Sequence, residues 1–426
     1  MDIKYENRQK QPGNALTGSQ RALLAQGALS SAFFSIGTGN FLAGYLLYLG
    51  AQPAYCAVVA ALPQLGCILQ LVSPFLFERL RHRKALICGC CFAFRMGMGV
   101  AGLLPFLLPD RNVRLGAVFA LYLLAFLFAG FVTPGLDQWT MELAPRYRRG
   151  RFFAARNILS ALLNSAISMA LGWQLDQFSL RGESAKGYLV LYGCCCLLAC
   201  LDLHLLTRME EVPCEPMVSM KLEDLLRPLR DKTYRKIMAF LPIWFFAVNF
   251  SNAFLAVYML QGLGMSHTVI TLVATVASGA GMAGTWFWGR LADKTSWNRV
   301  MIRAGFLVGV SYLCWSLVKP GAHWAAALVL QAFLGACSGS FNMASTNLQF
   351  SCSPRMGKTL YLGVGAAVSN LAGYGAALLG ASLQSALMLS RGIGSVRIQF
   401  LCSGIFCLIP VLFIIPRLPR IVPGEE

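Results

Sequence analysis

Stretches of roughly 20 apolar residues, each enough to cross about 30 Å of hydrocarbon at 1.5 Å per helical residue, recur along the whole chain. Twelve can be drawn, near 23–48, 54–77, 85–108, 113–136, 156–176, 187–206, 237–260, 268–289, 300–318, 322–345, 359–384 and 397–416. Backbone polar groups in lipid must be satisfied within the segment, so each stretch reads as a helix. Only 13% of the 426 residues are charged and 57% are hydrophobic. An ordinary soluble domain carries about 25% charged residues, so composition excludes a water-soluble fold. The expectation is an all-α membrane protein with twelve transmembrane helices.

The chain also repeats itself. Phe41-Leu42-Ala43-Gly44-Tyr45-Leu46-Leu47 returns as Phe254-Leu255-Ala256-Val257-Tyr258-Met259-Leu260. Glu78-Arg79 is echoed by Asp293-Lys294, and Pro145-Arg146 by Pro354-Arg355, at offsets of 213, 215 and 209. Two halves of similar length therefore carry similar landmarks in one order. Duplicated membrane halves with a site at their junction are a common plan for secondary transporters. The proposed division is an N-terminal six-helix bundle over 1–207, a cytoplasmic linker over 208–236 and a C-terminal six-helix bundle over 237–426. In the linker, Leu222, Leu225, Leu226 and Leu229 are spaced for one apolar helix face.

A net charge of +18 invites a nucleic-acid partner, but its placement argues for topology instead. With the N-terminus inside, 28 of the 36 Lys and Arg residues fall on the cytoplasmic side and 7 outside, with Arg95 within a span. The positive-inside rule then places both termini in the cytoplasm of a multi-pass cell-membrane protein, and no nucleic acid is expected. The first 20 residues are polar and do not read as a cleavable signal. Clusters such as Cys88, Cys90, Cys91 and Cys194, Cys195, Cys196 have no accompanying His, and neighbours on a helix diverge. They read as small packing residues, so no metal and no cofactor are expected. Gly97-Met98-Gly99-Val100-Ala101-Gly102 and Gly279-Ala280-Gly281-Met282-Ala283-Gly284 fit a dinucleotide-binding pattern, but both lie inside apolar spans. There, small residues let helices approach closely.

Gly289-Arg290-Leu291-Ala292-Asp293-Lys294, followed by Asn298-Arg299-Val300, resembles the loop motif between the second and third helices of each half in the major facilitator superfamily. Trp139-Thr140-Met141-Glu142-Leu143-Ala144-Pro145 with Arg148, Arg149 and Arg151 resembles the loop after the fourth helix in bacterial members. The resemblance implies two pseudo-symmetric six-helix bundles around a cavity lined by spans one, four, seven and ten. It also implies a cytoplasmic latch in which Gly289, Asp293, Lys294 and Arg299 take part. The N-terminal copy departs from the motif, with Pro74 for Gly and Glu78 for Asp, before Arg79. Glu142 and Arg149 read either as a second ion-pair network or as a solvated basic loop.

Polar residues inside spans are costly unless they face protein or water, so they point to a solute path or to interhelical bonds. Candidates for the cavity are Phe34, Asn40, Tyr45, Trp244, Asn249, Asn252, Tyr258, Gln331 and Asn342. Arg95 is a charge near mid-membrane and requires a partner, a wet pocket or an anionic ligand. Asp137, Asp176 and Asp202 all fall near helix ends, and 157–175 lacks the Gly-Pro motif of drug:proton antiporters. No nucleophile–base pair suggests an enzyme. The expected function is transport of a small organic solute by alternating access, as a monomer among membrane lipids, with a coupling ion (H+ or Na+) left open. Efflux of lipophilic compounds, or a transporter-derived sensor that moves nothing, are the alternatives.

Overall fold

The computed structural model describes residues 16–77, 79–104, 107–145, 148–211, 225–354 and 358–418, apart from the side chains of Asp293, Lys358, Thr359 and Arg391. Among them the chain is helical, with no strand. Helix α1 (Gly18–Gly37) opens on a capping box. The Gln20 N–H donates to Thr17 Oγ1 at 3.3 Å while the Thr17 N–H donates to Gln20 Oε1 at 3.2 Å. Helix α2 (Gly39–Tyr48) follows after a sharp break: Thr38 is extended and Gly39 has φ +60°. Only glycine enters that region cheaply. The first expected span, 23–48, is thus two helices.

Among the described residues, eleven runs are long and apolar enough to cross a membrane, and α1 and α2 are not among them. The first, Pro53–Leu71, comprises α3 (Pro53–Ala60), α4 (Leu62–Gly66) and a 3₁₀ turn, and is interrupted at Pro63, which lacks the N–H that a helix interior needs. After the short α5 (Ser73–Phe77) come α6 (Lys84–Leu103), α7 (Arg111–Leu143), α8 (Arg149–Leu180) and α9 (Ser184–Arg208). The expected amphipathic linker helix falls mostly outside the described residues, which resume at Leu225 and form α10 (Arg227–Arg230). The second half holds α11 (Tyr234–Asn252), α12 (Leu255–Val257) leading into a π turn, α13 (His267–Lys294), α14 (Trp297–Leu317), α15 (Trp324–Cys352), α16 (Lys358–Arg391) and α17 (Val396–Phe413).

The packing pattern of the first half recurs in the second. Helix α1 packs on α8 and α9 as α11 packs on α16 and α17, while α6 packs on α7 and α9 as α14 packs on α15 and α17. Two seams join the halves, α8 against α13 and α3–α4 against α16. The buried cores divide the same way, with Ala57 and Val257 the members that cross over. Large apolar side chains such as Trp173, Trp286 and Leu389 stand exposed on the outside, as a lipid-facing surface requires.

The repeated Phe-Leu-Ala-x-Tyr segment has a shared structural role. Tyr45 donates its hydroxyl to Ala101 O (3.0 Å) and Gly102 O (3.3 Å), in the last turn of α6. Tyr258 donates to Val318 O (2.6 Å), just past the end of α14. Carbonyls at helix C-termini lack intrahelical donors, and each tyrosine supplies one. Both phenols are buried inside their own half.

Candidate functional site

A cavity of about 380 Å³ lies between α1 and α8, lined by Gly27, Ser30, Ser31 and Phe34 on one side and Arg156, Asn157 and Ser160 on the other. The i, i+3 and i+4 spacing places each set on one helix face. Phe34 is 47% exposed there.

Behind this wall sits a buried polar chain. Arg95 of α6 pairs with Asp202 of α9, the two side chains being 3% and 1% exposed. Gln26 Nε2 donates to the other Asp202 oxygen at 3.1 Å, and Arg95 Nη2 donates to Ser30 Oγ at 2.9 Å. Arg156 Nη2 in turn donates to Gln26 Oε1 at 3.3 Å. The chain thus starts and finishes on cavity-lining residues, Arg156 and Ser30. Arg95 has the partner that its depth demands. That partner escaped the sequence reading, in which Asp202 counted only as a residue near a helix end. An acid within an apolar span was the signal available.

Both seams hold polar contacts. At the first, Asp176 of α8 accepts from the backbone N–H groups of His267 and Thr268, each at 2.9 Å, and from the Thr268 hydroxyl at 2.5 Å. These are the orphan donors of the first turn of α13, where a negative charge is also favoured by the helix dipole. The His267 ring stacks on Phe41 at 6.1 Å between centroids. Asn40 Nδ2 donates to Thr271 Oγ1 at 3.2 Å. At the second seam Gln64 Nε2 donates to Asn249 Oδ1 at 2.6 Å. Asn40 and Asn249 therefore bond across the halves, while neither Asp176 nor His267 stood out as a site residue in sequence.

The remaining candidates scatter. Trp244 is buried and stacked on Phe341 with centroids 3.8 Å apart. Asn252 and Asn342 are exposed, and Gln331 is half-buried with an unpartnered Oε1. Of the latch residues, Glu78 and the Asp293 side chain lie outside the described residues. Arg79 is exposed, and Lys294 is exposed in the last turn of α13. Gly289 faces Met343 of α15, and the Arg299 N–H donates to Ser296, the N-cap of α14. Glu142 accepts from Gln138 (3.0 Å), which accepts from Arg83 (2.7 Å), and Arg149 donates to Met141 O (3.0 Å). Lys84 donates to Thr207 O and Met209 O, both at 2.8 Å, at the C-terminal end of α9. The contacts of Glu142, Arg149 and Lys84 all lie within the first half.

Helices of this length and polarity, packed in a repeated pattern, define a multi-pass membrane protein built from two similar halves. Residues 33–387 match the MFS_1 like family, and the chain belongs to it. Among solved structures it is similar to the nucleoside transporter NupG (9% identity, 94% of this chain and 99% of that one, TM-score 0.72). It is also similar to an inward open conformation of the xylose transporter XylE from E. coli (14%, 96% and 98%, TM-score 0.70). The POT family transporter PepTSo is a third (12%, 93% and 96%, TM-score 0.73). At these identities the likeness is one of fold. No curated protein matches the chain.

Proposed function

We propose that this chain is a secondary transporter that carries a small organic solute across the cytoplasmic membrane by alternating access. The observation that carries the reading is the pair of seams: two halves with the same internal packing meet there through hydrogen bonds that water can replace. In this reading α1 and α2 together form a broken first span, giving twelve, and the halves correspond to 1–207 and 237–426 with the linker between. The charge asymmetry puts both termini in the cytoplasm. Asp176 and His267 then close the outer side, and the cavity at Arg156, about two helical turns from the basic loop at Arg149, opens inward. The Asp293–Lys294 loop is the proposed cytoplasmic latch of the second half, and the protein works as a monomer in lipid.

Flux in proteoliposomes, with an imposed H+ or Na+ gradient, tests the reading. Cysteines replacing Gln64 and Asn249, bridged by a short crosslinker, should lock the second seam and stop flux, with recovery on reversal. Unhindered flux in the crosslinked protein would falsify alternating access at this seam. Absence of flux in every condition would favour a sensor.

A further inference from the structure

The cavity wall carries one guanidinium whose charge is unmatched at contact range. Arg156 spends one donor on Gln26, and its Nε has no partner. Among the described residues its side chain has no carboxylate within 4.0 Å; the ion pairs are His82–Glu211, Arg95–Asp202 and Lys186–Glu183. The acids that act on it through space are Asp137 of α7 and Asp202 of α9, and Asp202 is already paired with Arg95. An arginine has five N–H donors in a planar fork, which matches the two oxygens of a carboxylate or phosphate.

The surroundings hold that fork in place. Because Gln26 Nε2 donates to Asp202, its Oε1 must face Arg156, so the buried pair orients the amide that holds the guanidinium. Helix α1 is indented to receive it: a Cβ at Gly27 would lie 2.3 Å from Arg156 Nε. Hydroxyls of Ser31 and Ser160 and the amide of Asn157 offer further donors, and Phe34 supplies an apolar wall. The volume falls within the range of roughly 300–1,000 Å³ typical of ligand pockets.

We infer that the solute is recognised through an oxyanion head group, carboxylate or phosphate, held by Arg156, with its apolar part against Phe34. This rests on the transport reading above. The test is uptake into proteoliposomes from a defined mixture holding carboxylates, phosphate esters, neutral and cationic metabolites in equal numbers, read by mass spectrometry. The wild-type protein should accumulate members of one anionic class. Arg156→Gln should lose at least tenfold of that uptake and Arg156→Lys less. Gly27→Ala, which keeps the charge but displaces the fork, should also lose uptake and serves if Arg156→Gln does not purify as a monodisperse protein. Accumulation of neutral or cationic members alone, or anion uptake that survives both Arg156→Gln and Gly27→Ala, overturns the inference and leaves transport standing. No accumulation of any member removes the transport reading and this inference with it.

Discussion

Asp176 in the first half accepts a hydrogen bond from the backbone N–H of His267 in the second, so a side chain of one bundle caps a helix of the other. The same carboxylate takes the next N–H, from Thr268. The contact needs no particular side chain at 267 for its hydrogen bond, only the start of α13 and a carboxylate opposite it.

Removing that carboxylate should open the outer seam. Hydrogen bonds to a charged acceptor contribute about 1.5–3 kcal/mol, and 1.4 kcal/mol is a tenfold change in an equilibrium. Asp176→Ala is expected to raise, by more than tenfold, the labelling by an impermeant maleimide of a cysteine placed at position 40 in a cysteine-depleted background. Asp176→Asn should fall between the two. Equal labelling rates in all three would mean that the contact does not hold the seam shut.

The buried pair calls for a different experiment. Losing one partner of a buried ion pair typically costs about 3–5 kcal/mol, whereas replacing both with apolar residues is often neutral. Arg95→Met and Asp202→Leu should each lower the melting temperature in detergent, and the double variant should recover most of the loss. A double variant no better than the worse single one would show that Gln26 and Ser30, not the charges, need the pair.

Helix α13 tests the packing role of its glycines. A Cβ at Gly284 would lie 2.4 Å from Ala336 O of α15, a backbone atom that cannot move aside, whereas a Cβ at Gly279 meets nothing within 4 Å. Gly284→Ala should destabilise by about 1–3 kcal/mol through overpacking. Gly279→Ala should be neutral or stabilising by up to about 1 kcal/mol, because alanine is the better helix former. Thermal unfolding of the two variants reads the difference in sign.

The two tyrosines predict a symmetric result. Tyr45→Phe and Tyr258→Phe each leave a buried carbonyl without its donor, at a cost of about 1–3 kcal/mol. The sites share no partner, so the double variant should show the sum. Two separate transitions in the double variant, each shifted as in its single variant, would indicate that the halves unfold independently.

Much of this architecture was legible in the sequence, because apolar length and charge placement are local properties. The stretch 85–108 appears as α6, Lys84–Leu103, and both GxGxxG runs lie inside helices. The break at Thr38–Gly39 was not legible, since apolar residues continue on both sides and only the backbone angle of Gly39 marks it. Asn40 and Asn249 stood out as polar residues in spans, but which surface they meet is a tertiary fact. Asp202 was hidden for the same reason: it lies near the end of α9, yet α1 and α6 cover it and bring Arg95 from 107 positions away. Arg156 counted only toward topology, because its position on the cavity depends on how α8 turns toward α1.

The tyrosine links have a thermal consequence. In each half they tie the repeated segment to the far end of another helix, so each half is braced from within. Side-chain bonding between the halves is left to groups such as Asn40, Gln64, Asp176 and Asn249, which exchange protein partners for water when they part. Hydration of apolar surface raises heat capacity and that of polar surface lowers it. A switch that parts at polar contacts should therefore have a small heat-capacity change, so the logarithm of its equilibrium constant should vary almost linearly with inverse temperature from cold to warm surroundings.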